Sequence, residues 1–317
     1  MSVFFDRLRI NKQWVRLLFP ILTLVFSSTV SAKLIGVSMS NDDNFLNIIA
    51  TNIEAAIDER GDDVYLDYAY WDFDTQLAQI KSFVKVGVDA IIVVAVSGDE
   101  KYNQQLIQAA GRTPIVFVNN EPFADLSKLP EDVVYVGADE AMSGTMEMEA
   151  LAKLANYQGR VALLVGAADH PAAKMRTQDV KDVLAKYPGM ELVVSQVGNW
   201  QRNQGYKIVT NWVAQKIDFN ILVSNNDEMV IGGMMALQDA KLNVKSYFTG
   251  GIDATQDALK EMEKGNLDVT VLQDAVAQAR GSVDVSYKLM ARQHVESPYW
   301  IPFRLITPEN YKQLLNN

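Results

Sequence analysis

The sequence predicts an α/β protein of two doubly wound parallel-sheet lobes joined by a hinge, and three observations lead there. Short β-branched apolar runs alternate with longer segments of helical period nearly to the end of the chain. The runs are apolar on both faces: from Asp89 through Val96 there is no period-two alternation, as a parallel strand covered by helices on each side requires. Finally, the chain is longer than one core usually supports. Strand–helix–strand order implies right-handed parallel crossovers and hence doubly wound sheets.

Taken in order, the first 32 of the 317 residues read as a secretory signal peptide. Arg7, Arg9, Lys12 and Arg16 against Asp6 give a charge of +3, residues 17–26 are apolar, and Val30, Ser31 and Ala32 suit a peptidase. An apolar run of about ten residues is half what a spanning helix needs, so cleavage before Lys33 and a periplasmic mature protein are expected. With no cysteine, a lipid anchor is not expected.

Strands are then expected at 34–38, 64–68, 90–94, 115–118, 161–165, 192–196, 221–223, 247–250 and 269–272. Phe45, Ile48, Ile49, Ile53, Ala56 and Ile57 form one stripe of a 3.6-residue helix, and Leu77, Ile80, Phe83 and Val84 a second. One sheet of about a dozen strands is large, so two sheets of five or six are expected. The divide falls near Val136 and Gly137. The expected domains are a signal peptide at 1–32, a first lobe of 33–136 plus 275–301, and a second of 137–274 plus 302–317.

Composition removes whole function classes. The 285 residues after the signal carry a net charge of about −13, which argues against nucleic acid or anionic lipid as partner. Without cysteine there is no thiolate catalysis, iron–sulfur cluster or cysteine zinc site, and His170 and His294 are too few for a histidine-rich metal site. No nucleophile elbow, P-loop, dinucleotide fingerprint or zinc signature is present. Asp43 and Asp253 could in principle form an acid/base pair, but a non-enzymatic protein without cofactor is expected.

Ligands of open α/β sheets bind outside the carboxyl ends of the strands, so the residues just after each strand are the informative ones. They are Asp43 and Phe45, Asn119 and Asn120, His170 with Arg176 beyond it, Trp200, Asn226, Asp253 and Gln273. Each has a structural reading too. Asp43 can cap a helix, Phe45 can be core, the Asn pairs can be turns, His170 a loop residue, Arg176 a solvated helix residue and Trp200 a lid. Together they suit a sugar or cyclic polyol: planar amides, carboxylates and a guanidinium bridge ring hydroxyls, while aromatic faces cover C–H surfaces.

These segments resemble the periplasmic sugar-binding proteins of the ribose and galactose type, the type I solute receptors of ABC importers. The likeness covers the mature chain and is most specific at 42–45, 118–122, His170 and Pro171 with Arg176, 225–227 and 251–253. It implies a ligand shell of Asp43, Phe45, Asn119, His170, Arg176, Trp200, Asn226 and Asp253, with Phe45 and Trp200 sandwiching the ring and Gln273 as the last amide. Departures narrow it. Ala172 stands where the galactose type has a carboxylate near the anomeric hydroxyl, Gln273 replaces Asn, and the calcium loop has no counterpart between Ala152 and Val161, with Asn220 in place of its remote acidic ligand, so no calcium is expected. The segments at 176–179, 199–202, 253–258 and 273–274 are closest to inositol- and rhizopine-binding receptors. The resemblance thus implies a receptor that takes a monosaccharide or, preferably, a cyclitol to a membrane permease. Its alternatives are a galactose/glucose-type receptor and a sensory receptor acting on a chemoreceptor or sensor kinase.

Overall fold

The computed structural model describes residues 32–315; all but the last residue of the expected signal peptide lies outside them. In chain order the elements are β1 (Leu34–Met39), α1 (Asn44–Asp58), β2 (Asp63–Tyr68), α2 (Phe73–Val86), β3 (Ala90–Val93), α3 (Glu100–Ala110), β4 (Ile115–Val118) and β5 (Val133–Gly137). There follow α4 (Ser143–Leu154), β6 (Gly159–Val165), α5 (Pro171–Lys186), β7 (Met190–Val197), α6 (Arg202–Ala214), β8 (Ile221–Ser224) and α7 (Asp227–Asp239). The chain ends with β9 (Phe248–Asp253), α8 (Gln256–Glu263), β10 (Val269–Leu272), α9 (Ala275–Met290), β11 (Tyr299–Trp300) and β12 (Arg304–Ile306).

Two six-stranded sheets form, in the orders β11-β5-β4-β3-β1-β2 and β12-β10-β9-β8-β6-β7. Every pairing is parallel except that of β12 with β10. The central strands β3, β4, β5, β8 and β10 are buried at every residue, which is why their sequences show no alternation. Successive side chains point to opposite faces, and each sheet accordingly carries two cores. In the first, Ile92 and Val94 pack under α1 and α9, while Ile91 and Val93 pack under α2 and α3. In the second, Leu164 and Leu222 meet α6, α7 and α8, while Leu163 and Val223 meet α4 and α5. Each fully buried large apolar side chain contributes about 1.5–3 kcal/mol. Val84, read in the apolar stripe of α2, is 37 % exposed and lies at the stripe's edge.

The chain passes between the sheets three times: after β5, between β10 and α9, and between β11 and β12. Ala138 and Phe303, on two of these passages, pack with Ile252 and Val271 in a small core of their own. Strand order reverses between β1 and β3 and again between β6 and β8. At such points the loops on the two sides diverge and leave a crevice.

Three strands were not expected. Val133–Gly137 is a full parallel strand of the first sheet; β11 and β12 are edge strands of two and three residues.

Candidate functional site

Three helices begin at this crevice, and the side chain that starts each is one of the strand-end residues. Asp43 Oδ1 accepts from Leu46 N (3.0 Å) at the start of α1, His170 Nδ1 from Ala172 N (3.2 Å) at α5, and Asn226 Oδ1 from Met229 N (3.1 Å) at α7. Such caps satisfy backbone donors that have no partner within the helix. Pro171 suits the first turn of α5, where its missing N–H costs nothing. Each of these side chains therefore caps a helix at the same place where it borders the crevice.

All nine expected residues, Asp43, Phe45, Asn119, His170, Arg176, Trp200, Asn226, Asp253 and Gln273, line one cavity of about 470 Å³ counting its open mouth. Five further residues complete the wall: Leu46, Trp71, Asn120, Glu140 and Ala172. Trp71 follows β2 and Glu140 follows β5, at strand ends the sequence reading did not use.

Arg176 is the centre of the polar wall and is 3 % exposed. Its Nε and Nη2 donate to Glu140 Oε2 and Oε1 at 2.9 and 2.7 Å, a two-pronged pair in which both side chains are buried. Nη1 donates to Asn225 O at 2.8 Å, and Nη2 also to Gln273 Oε1 at 3.1 Å. Asp253 Oδ1 lies 3.9 Å from Nη1, and among the described residues the carboxylate has no hydrogen-bond partner. Burial pushes the Asp253 carboxyl well above the usual range; Arg176 opposes this, while Asp227, Asp43 and Glu140 reinforce it. Its backbone is held at φ 124°, a region costly for a residue other than glycine. Asp43 is also raised by burial, against the pull of the Leu46 amide.

His170 is neutral. Its Nδ1 is occupied as an acceptor, so the proton sits on Nε2, which donates to Asn120 Oδ1 at 3.1 Å. Asn120 is oriented for this because its Nδ2 donates to Ala95 O at 2.7 Å. Burial, helped by the Arg176 charge, pushes the imidazole down to about 4. The bond joins the two lobes, as does Asn44 Nδ2 to Glu228 Oε1 at 3.1 Å, where Glu228 is in turn held by Arg202. Trp200 stands edge-on to His170 at 5.3 Å. Its ring lies on Gly166, where an added Cβ would sit 2.2 Å from the indole, so only glycine leaves room. On the other lobe Asn119 donates from Nδ2 to Gln278 Oε1 at 3.1 Å. The wall thus offers carboxylates and amides as acceptors, a guanidinium and amide N–H groups as donors, and the rings of Phe45, Trp71 and Trp200 as apolar faces.

Comparison with known proteins agrees with this architecture. A model of the periplasmic binding protein domain matches residues 35–294. A protein of Rhizobium meliloti named for rhizopine binding is 40 % identical over 291 residues, 90 % of this chain and 94 % of that one. The crystal structure of an ABC transporter solute-binding protein from Bacillus halodurans with bound myo-inositol superposes with a TM-score of 0.83 at 32 % identity, covering 90 % of this chain and 97 % of that one. The fold is shared with the Caulobacter myo-inositol binding protein, at a TM-score of 0.80 and 20 % identity over 89 % of this chain and 96 % of that one.

Proposed function

As this chain belongs to the periplasmic binding protein domain family, we propose that it is exported through a cleaved signal peptide, closes its two lobes around one cyclitol, and presents the closed form to the permease of an ABC importer. The observation that carries this is the meeting of residues from nine strand ends in one cavity between two lobes. Asp43 and Asp253 accept from ring hydroxyls, Arg176 donates, the amides of Asn119, Asn226 and Gln273 do both, and Phe45 and Trp200 cover the C–H surfaces. The similarity to proteins named for rhizopine and solved with myo-inositol supports a cyclitol over a pyranose. No catalytic step is assigned: the chain binds and releases its ligand unchanged.

The test is a thermal-shift and calorimetric screen of myo-inositol, scyllo-inosamine, galactose, glucose and ribose. A cyclitol at a hundred times its Kd adds about 2.7 kcal/mol to the native state. Stabilisation by galactose or ribose, with no response to either cyclitol, overturns the reading. Affinity is expected to fall in acid. Ring hydroxyls donate best to ionised carboxylates, so binding draws protons off Asp43 and Asp253, both raised by burial. His170, depressed to about 4, holds its neutral bonds above the ordinary histidine range and loses them as the pH falls through that value. Both effects have one sign, worth up to about tenfold in affinity per pH unit for each proton exchanged. Calorimetry in buffers of different ionisation enthalpy reads the released protons directly; pH-independent binding without proton release contradicts the assignment.

Lobe closure has its own test. Gly98, in the loop after β3, lies against Pro171 of the other lobe, and an added Cβ would sit 2.2 Å from the proline Cγ. Gly98→Val is expected to hold the lobes apart at a cost of about 1–3 kcal/mol, a five- to 150-fold loss of affinity. Small-angle scattering should show an enlarged, folded molecule; a variant that closes and binds like the parent removes closure from the account.

A further inference from the structure

A guanidinium has five N–H donors in a rigid plane. In Arg176 four are spent inside the protein: Nε–H and one Nη2–H on Glu140, the second Nη2–H on Gln273, and one Nη1–H on Asn225 O. The donor left over is on Nη1, on the side of Asp253. We propose that Glu140 is a specificity-determining residue of the cavity: by filling the fork of Arg176 it leaves a single N–H for the ligand, beside the Asp253 carboxylate. The two then read one hydroxyl, which accepts from Arg176 and donates to Asp253. This rests on the reading that the cavity holds a ring polyol.

Glu140 is well placed to keep the fork filled. It follows β5 on the first passage between lobes and is 5 % exposed. Ser143 Oγ donates to its Oε2 at 3.0 Å. At the next residue α4 presses on α5, for a Cβ on Gly144 would lie 2.7 Å from Arg176 O. The carboxylate and the guanidinium are thus fixed from both helices, and neither can turn to offer the ligand its two-pronged edge.

The chemical consequence is selection against acceptor-only groups. A free guanidinium fork grips a carboxylate or a pair of lone-pair oxygens; here that grip is already taken, and Glu140, Asp43 and Asp253 present lone pairs of their own. An ether oxygen or a carboxylate in the ligand meets acceptors on these walls. A ring whose polar substituents all carry hydrogen meets partners. Ala172 lacks the carboxylate that the galactose-type pattern has near the anomeric centre, and Glu140 supplies the cavity with an acid from a different strand end.

Calorimetric titration of the full mature chain tests this with Glu140→Ala and the near-isosteric Glu140→Gln, using myo-inositol, galactose and galacturonate. Freeing the fork should weaken the neutral ligand preferred by the parent at least tenfold and raise the affinity ratio of galacturonate to that ligand at least tenfold. A general loss of structure lowers all affinities and leaves the ratio alone. If Glu140→Ala does not fold, Glu140→Gln carries the same comparison, since its amide leaves one prong unmatched. A ratio within about threefold of the parent in a folded variant overturns the proposal. Preference of the parent for galactose removes the cyclitol reading but not this test, because the ratio is then taken against galactose. Should the parent bind no neutral ring, the receptor reading fails, and gain of galacturonate binding alone decides the role of Glu140.

Discussion

Arg176→Ala is expected to be the most damaging single substitution in the chain, lowering the stability of the ligand-free protein by about 3–5 kcal/mol at neutral pH. The guanidinium is buried, and its removal strands the Glu140 carboxylate, the Asn225 carbonyl and the Gln273 amide oxygen without their donor. Urea unfolding of parent and variant at neutral pH reads the difference. A loss below about 1 kcal/mol at neutral pH would mean that the fork is not a structural element.

Asp253→Asn should do the reverse. Removing a charge-assisted hydrogen bond to the ligand costs about 1.5–3 kcal/mol, or roughly 10- to 150-fold in affinity, yet the ligand-free protein should be as stable as the parent or more so. The Asp253 carboxylate is buried, has no hydrogen bond among the described residues, faces Asp227, Asp43 and Glu140, and has only a distant approach to an Arg176 already engaged elsewhere. Asparagine removes that charge and tolerates positive φ as well as aspartate does. Denaturation and calorimetry on one preparation separate the two effects; destabilisation by more than about 1 kcal/mol with binding intact would make Asp253 a structural residue.

The cavity's residues were legible from the primary structure to the extent that the strands were. Once nine strands are placed, the rule that ligands bind at carboxyl ends selects the residues after them. What was missed was missed for identifiable reasons. The run from Val133 to Val136 is as apolar and β-branched as its neighbours, but it coincides with the divide between lobes; reading it as a boundary hid the strand and Glu140 beyond it. Trp71 sits in a turn with Tyr70 at φ 62° and 51°, and aromatic residues carry no turn signal. Edge strands β11 and β12 are defined by pairing rather than by periodicity. The Glu140–Arg176 fork has no signature in the sequence, since 36 residues separate its partners.

Asp43, His170 and Asn226 each close the first turn of a helix with the side chain that also borders the crevice. Altering what the receptor accepts through any of them would fray α1, α5 or α7, a penalty of about 0.5–2 kcal/mol per cap. Trp71 and Ala172 border the same space with no capping duty for their side chains. Drift in ligand preference among descendants of this chain should accumulate first at those two positions, and engineered retuning should begin there.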